Sequence, residues 1–247
     1  MLGSLLVGFR SRTPLRRGHF RPSSPVQFIA ISVSISLALV LPSSSPIALP
    51  AHADSTILAS EVLNQLPVKG RAPKTGYSRE AFGQAWSDID RNGCDTRNDI
   101  LKRDLRRVTF KPGTRDCVVL SGNLNDPYSG TTISFLRGET TSALVQIDHV
   151  VALSNAWQTG AFQLSLKERT ALANDPLNLL AVKGSLNSQK GDGDAATWLP
   201  PNKSFRCEYV SRQIAVKKKY RLWLTAPEKS EMARILSRCP AQAVPSS

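Results

Sequence analysis

Short apolar stretches with polar borders alternate with stretches whose apolar residues recur every three or four positions. Val145–Ile147 runs into Asp148-His149, and Leu179–Val182 begins directly after Asn178. Short apolar runs with polar edges predict buried strands, so Leu144–Ile147 and Leu179–Val182 are read as a strand and its return. The excursion 150–177 between them holds an Ala-Trp helical piece and a helix opened by Ser165-x-x-Glu168, a capping box. A short helix after Val182 carries Asn187. Upstream, Arg107–Phe110, Cys117–Gly122 and Thr131–Leu136 read as strands. The second and third of these are joined by a turn at Asn125-Asp126-Pro127, whose residues favour turns.

Helical spacing appears elsewhere. Phe82, Trp86 and Ile89 would share one helix face after Ser78, ending at Asn92-Gly93. A next helix begins near Thr96, capped through Asp99, with Ile100, Leu101 and Leu105 inward. After Trp198-Leu-Pro-Pro, Tyr209, Val216, Tyr220 and Trp223 form a helical stripe. Thr225-x-x-Glu228 then opens a last helix that buries Met232, Ile235 and Leu236. Residues 54–76, broken by Pro67, Gly70, Pro73 and Gly76, read as a flexible linker with one short helix at 57–66. Residues 241–247 read as a loose tail. The expected class is α+β, with helices flanking a small antiparallel sheet in one domain at 77–240.

The first 53 residues hold Arg10, Arg12, Arg16, Arg17 and Arg21 and no acidic residue. An apolar stretch, Val26–Leu41, precedes Pro42 and an Ala51-His52-Ala53 cleavage pattern, the order of a secretory signal. Sixteen residues fall short of the roughly 20 that span a bilayer. A secreted protein without a stable membrane partner is therefore expected, with a retained N-terminal anchor as the alternative. The full chain carries +13; without the five arginines, 27 basic residues face 19 acidic ones, net +8. That balance suits a polyanionic partner, and Lys217, Lys218, Lys219 and Arg221 concentrate it on one helix.

The cysteines Cys94, Cys117, Cys207 and Cys239 form no C-x-x-C pair, which argues against a zinc site. Behind an export signal they read as disulfides. Three pairings are possible. Cys94–Cys117 and Cys207–Cys239 are favoured because each links nearby elements.

The candidate chemistry gathers at the two strand edges. Asp148 and Asn187 offer the oxygens that a hard cation such as Mg²⁺ takes. His149, the only histidine after residue 53, can accept a proton near neutral pH. With D-H-V-V-A-L-x-x-A-W, N-D-P-x-N-L-L-A-V and N-x-x-K-G-D, this region resembles HNH endonucleases of the ββα-metal type, specifically the proteins related to the C-terminal domain of GmrSD-type restriction enzymes. D-T-R-N-D-I-L at 95–101, D-P-Y-S-G at 126–130 and W-L-P-P-N at 198–202 add looser likeness, so that the resemblance covers roughly Tyr77 to Cys239. Asn187 stands where the HNH name expects a histidine.

The resemblance implies a metal-dependent nuclease. Asp148 and Asn187 would hold Mg²⁺ or Mn²⁺, His149 would act as general base, and Asn178 would orient the imidazole or brace its loop. Arg97, Lys190, Lys217 and Lys218 are candidates for substrate phosphates, against the plainer reading of each as a solvated charge. The expected substrate is nucleic acid, DNA before RNA, cut by a monomer with little sequence specificity, since no base-reading module is apparent. The competing expectation is an extracellular nucleic-acid-binding protein that keeps the scaffold without catalysis.

Overall fold

The computed structural model describes residues 57–245; the leader read at 1–53 and the end of the tail lie outside them. The architecture is α+β, with helices packed around a three-stranded and a two-stranded antiparallel sheet. In the larger sheet β1 (Leu105–Phe110), β2 (Val119–Asn125) and β3 (Thr132–Leu136) run in sequence order, and both pairings are antiparallel. In the smaller, β4 (Val145–His149) pairs with β5 (Leu179–Lys183), His149 opposite Leu179 and Asp148 opposite Leu180. The helix α5 (Gly184–Lys190) follows β5 at once, so β4, β5 and α5 stand in ββα order.

The remaining helices are α1 (Ala59–Gln65), α2 (Thr96–Asp104), α3 (Leu153–Gln158), α4 (Leu166–Asn174), α6 (Arg206–Lys219) and α7 (Ala226–Leu236). Capping boxes open α4 at Ser165/Glu168 and α7 at Thr225/Glu228. α2 is capped by Asp95, whose side chain accepts the Asn98 N–H, one residue before the expected Thr96. Its far end covers the outer edge of β5: Arg103 donates to the Leu179 carbonyl at 2.7 Å, and Asp104 accepts the Ala181 N–H at 2.8 Å. An edge strand covered this way cannot pair with another chain. Disulfides join Cys94 to Cys117 and Cys207 to Cys239. Among the described residues, no helix is long and apolar enough to cross a membrane.

Three expectations change. The helix built on Phe82, Trp86 and Ile89 is absent. Only Glu80–Phe82 turns, as a 3-10 helix, before Gly83 and Trp86 take left-handed backbone (φ 79° and 58°) and Ile89 remains 43% exposed. Residues 57–76 are a docked strap rather than a tether: Ala59, Val62, Leu63 and Leu66 bury a helical stripe in the main core with Tyr209, Ile214 and Met232. Beyond α1, Trp223 donates to the Gly70 carbonyl and Arg71 pairs with Asp194. The tail also docks as far as residue 245. Ala59 and Val244 exchange hydrogen bonds with the carbonyls of Gln242 and Ile57, so the two ends of the domain brace each other.

Candidate active site

Alternation along β4 sends successive side chains to opposite faces of the ribbon, and this separates Asp148 from His149. Asp148 is nearly buried. Its Oδ1 accepts from Lys190 Nζ at 3.0 Å and its Oδ2 from the Tyr128 hydroxyl at 2.5 Å. Burial raises the Tyr128 pKa well above its ordinary value, so the phenol stays a donor. Lys190 has a side chain with no exposed surface, and it also donates to the His149 carbonyl at 2.8 Å. It is therefore neither the solvated lysine nor the phosphate contact weighed from the sequence. It braces the end of β4 from α5.

His149 points the other way. Its Nε2 lies 2.8 Å from the Ala173 carbonyl at the end of α4. A carbonyl only accepts, so this partner assigns the proton to Nε2 and leaves Nδ1 as the acceptor. Burial lowers the imidazole pKa from 6.5 to about 4, against the opposing pull of the Ala173 contact and Asp148. The ring is therefore neutral at pH 7. Trp86 stacks on it, with ring centroids 6.1 Å apart and planes 17° apart.

Asn178 is fully buried and makes no hydrogen bond to the imidazole. Its Oδ1 accepts the Val151 N–H at 2.8 Å, and its Nδ2 donates to the carbonyls of Val151 and Leu172. Its backbone carbonyl takes the Val150 N–H. One side chain thus fixes the loop that leaves His149.

Asp148, His149 and Asn187 line one polar cavity of about 360 Å³, together with Tyr77, Arg79, Ser154 and Asp192. Asn187, half-buried on α5, donates Nδ2 to Gln146 Oε1 at 2.8 Å. That contact leaves its Oδ1 available as an acceptor. Asp192 accepts from Lys74 and Ser154, and the Lys74 hydrogen bond holds its carboxyl below the usual range.

These residues fit a hard divalent cation in part. Asn187 Oδ1 has no protein partner among the described residues. A carboxylate has about four lone-pair sites, of which Lys190 and Tyr128 use two on Asp148. Mg²⁺ is commonly held by one or two carboxylates, with water and substrate phosphate completing the shell. Among the described residues, no group of three or more His, Cys, Asp or Glu side chains is placed to hold a metal ion by itself. The same applies to the loop before α2. There Asp88, Asp90, Asn92-Gly93 and Asp99 have the spacing of a calcium loop, and Asp88 accepts the N–H groups of Asn92 and Gly93, but these carboxylates are not gathered into a metal-holding group.

The other substrate candidates lie elsewhere. Lys217 is buried against Glu228, contrary to the expectation of a phosphate contact. Lys218 is exposed but donates to Gln65, and Lys219 pairs with Asp175, so this basic run serves helix packing. Arg97, half-buried in the first turn of α2, lines neither this cavity nor the apolar one beside it.

Residues missed from the sequence are Arg79, Trp86, Tyr128 and Asp192. Two had a signal. Asp192 ends N-x-x-K-G-D, and Tyr128 lies in D-P-Y-S-G, where Asp126 accepts the backbone N–H of Tyr128 and Lys183 and ties the turn to β5.

Comparison with known proteins gives the family. The model of the C-terminal domain of GmrSD restriction endonucleases matches residues 95–235. The chain belongs to this family. It is also similar to a protein of Arthroderma benhamiae named only as an uncharacterized secreted protein, 36% identical over 214 residues, which cover 86% of this chain and 98% of the relative. No solved structure matches the chain. In family terms, the matched segment begins at the cap of α2 and includes β4, β5 and α5, the elements that carry Asp148, His149, Asn178 and Asn187.

Proposed function

We propose that this chain is a secreted, metal-dependent HNH endonuclease that hydrolyses phosphodiester bonds in nucleic acid, DNA before RNA, with little sequence preference. The observation that carries the reading is that Asp148, His149 and Asn187 line one polar cavity, with the His149 imidazole neutral at pH 7. Nδ1 of His149 takes a proton from the attacking water, with the ring oriented by the Ala173 carbonyl. An acceptor with a pKa near 4 is unprotonated at neutral pH but weakly basic. A divalent cation, Mg²⁺ or Mn²⁺, when bound, supplies Lewis acidity that acidifies water and offsets charge on the leaving oxygen. Asp148 and Asn187 are the residues that would hold it. Lys190 and Tyr128 fix the Asp148 carboxylate, and Asn178 fixes the loop behind His149. Export is consistent with the two disulfides and with the secreted relative.

One observation favours the alternative, a nucleic-acid-binding protein without catalysis: both Asp148 oxygens already have protein donors. Residues 54–247, incubated with plasmid and with a single-stranded oligonucleotide in Mg²⁺, Mn²⁺ or EDTA, separate the two. Metal-dependent cutting is expected. A folded protein that binds these substrates and never cuts either supports the alternative. His149→Ala should keep Mn²⁺ binding by calorimetry while cleavage falls about 10²–10⁴-fold, the usual cost of losing a general base. Asp148→Ala and Asn187→Ala should weaken Mn²⁺ binding itself. The opposite pattern makes His149 a ligand.

A further inference from the structure

Beside the polar cavity lies a second one of about 140 Å³, lined by Phe82, Gln84, Trp86, Leu153 and Ala173. Two residues, besides Leu153, line both cavities: His149 and Arg79. The two therefore meet at the group assigned as general base. Apart from His149, Arg79 and the amides of Gln84 and Asn174, the second cavity has apolar or aromatic walls.

Its walls are built firmly. Arg169 Nε on α4 donates to the Ala81 carbonyl at 2.6 Å, and the Thr96 N–H bonds the Trp86 carbonyl. Gly83, at φ +79°, passes so close to α4 that an added Cβ would lie 2.2 Å from Thr170 Oγ1. Trp86, on left-handed backbone, packs one side of its indole against the core around Ile100 and Val145 and lies over the imidazole.

Arg79 differs from the other cations near the site. Lys190 is paired with Asp148 and Lys74 with Asp192, whereas no hydrogen bond or ion pair ties the exposed Arg79 guanidinium to another described residue. It nevertheless stands close enough to His149 for its charge to oppose protonation of the ring.

We infer that the paired cavities form a nucleotide subsite, in which Arg79 binds the backbone phosphate and the apolar cavity takes one unpaired base against Trp86 and Phe82. The inference rests on the nuclease reading and deepens it by naming the substrate form. A volume of about 140 Å³ is close to that of an apolar cavity of roughly 150 Å³ that takes benzene, the scale of one planar ring. An aromatic wall recognises any base through its π-face, without sequence preference. A base inside an intact duplex is stacked and paired and cannot enter. The preferred substrate is therefore a single strand, a loop or a frayed end.

The test measures binding in EDTA, so that no cleavage intervenes, with residues 54–247 and three probes: a single-stranded oligonucleotide, its duplex, and a base-free sugar-phosphate strand of equal length. The single strand should bind best. Trp86→Leu should lose about 5- to 150-fold on the single strand, the range for one stacked base, and leave the base-free strand unchanged. Trp86→Phe should restore most of that loss, which separates stacking from misfolding. Arg79→Gln should weaken all three probes and lower the salt dependence. Tighter binding of the duplex, or equal losses for Trp86→Leu on both single strands, overturns the subsite. Parallel cleavage assays in Mg²⁺ keep the two readings apart: cutting without base dependence removes the subsite alone, and no cutting of any probe removes the nuclease assignment.

Discussion

Replacing Lys217 with Met tests whether the basic run of α6 serves structure or substrate. The Lys217 and Glu228 side chains have no exposed surface. Lys217 Nζ donates to Glu228 Oε2 and to the Trp223 carbonyl, each at 3.0 Å; Oε1 lies 2.9 Å away but out of hydrogen-bond alignment. Burial lowers the Lys217 pKa and raises that of Glu228, and each partner opposes the shift of the other. Removing one member of a buried pair costs about 3–5 kcal/mol, because the other charge stays desolvated. Against a typical domain stability of about 5–15 kcal/mol, that is a large fraction.

The defect should also depend on pH. Without Lys217, the Glu228 pKa in the folded protein stays above its unfolded value of 4.5. The folded form then keeps a proton that the unfolded form releases, so the variant loses stability as pH rises above about 4.5 and is least impaired in acid. Lys217→Met/Glu228→Leu removes both charges and should regain most of the loss, since apolar replacements of buried pairs are often neutral or stabilising. Urea unfolding of the three proteins at pH 5 and pH 8 measures this. A single variant that costs less than about 1 kcal/mol, or one that alters the salt slope of nucleic-acid binding without altering stability, refutes the structural role.

Three further predictions address the site and the frame. Burial holds His149 near pKa 4 instead of 6.5, so between those values the unfolded chain binds a proton that the folded chain refuses. Stability should fall as pH drops through that window, by about 3 kcal/mol for a gap of about 2.5 pH units; a single histidine NMR resonance in residues 54–247, followed in EDTA, should titrate well below 6, and a midpoint near 6.5 contradicts the burial. Gly83→Ala should destabilise by more than about 1 kcal/mol, because φ is +79° and the new Cβ meets Thr170; an unchanged melting temperature argues against that close approach. Reduction should add about four hydrogens by intact mass and cost roughly 3–4 kcal/mol per bridge by loop entropy, and reaction of the unreduced protein with four equivalents of thiol reagent excludes the pairs Cys94–Cys117 and Cys207–Cys239.

Local patterns in the sequence determined much of this protein. Strand-like runs around Asp148-His149 and Leu179–Val182, the capping boxes at Ser165 and Thr225, and the two disulfide pairs were all legible, because each depends on residues near in sequence or on few alternatives. The strand-strand-helix order follows from the same short-range signals, whereas the roles given to Asp148, His149, Asn178 and Asn187 come from the resemblance to HNH endonucleases. Where a signal depended on distant partners, the sequence misled. Phe82, Trp86 and Ile89 have helical spacing, yet Gly83 must pass against Thr170 and Trp86 must cover His149, contacts that no helix allows. Lys217 sits in a run of cations, but Glu228 on the next helix takes it into the core. Lys190 looked like a surface lysine until α5 folded back on β4 and brought it to Asp148, with Tyr128 closing the other oxygen from the turn after β2. Periodicity reports which face of an element is apolar. Which charge is buried, which carboxylate is already paired and which arginine is left unpartnered depend on groups far apart in sequence, and only the tertiary structure brings those together.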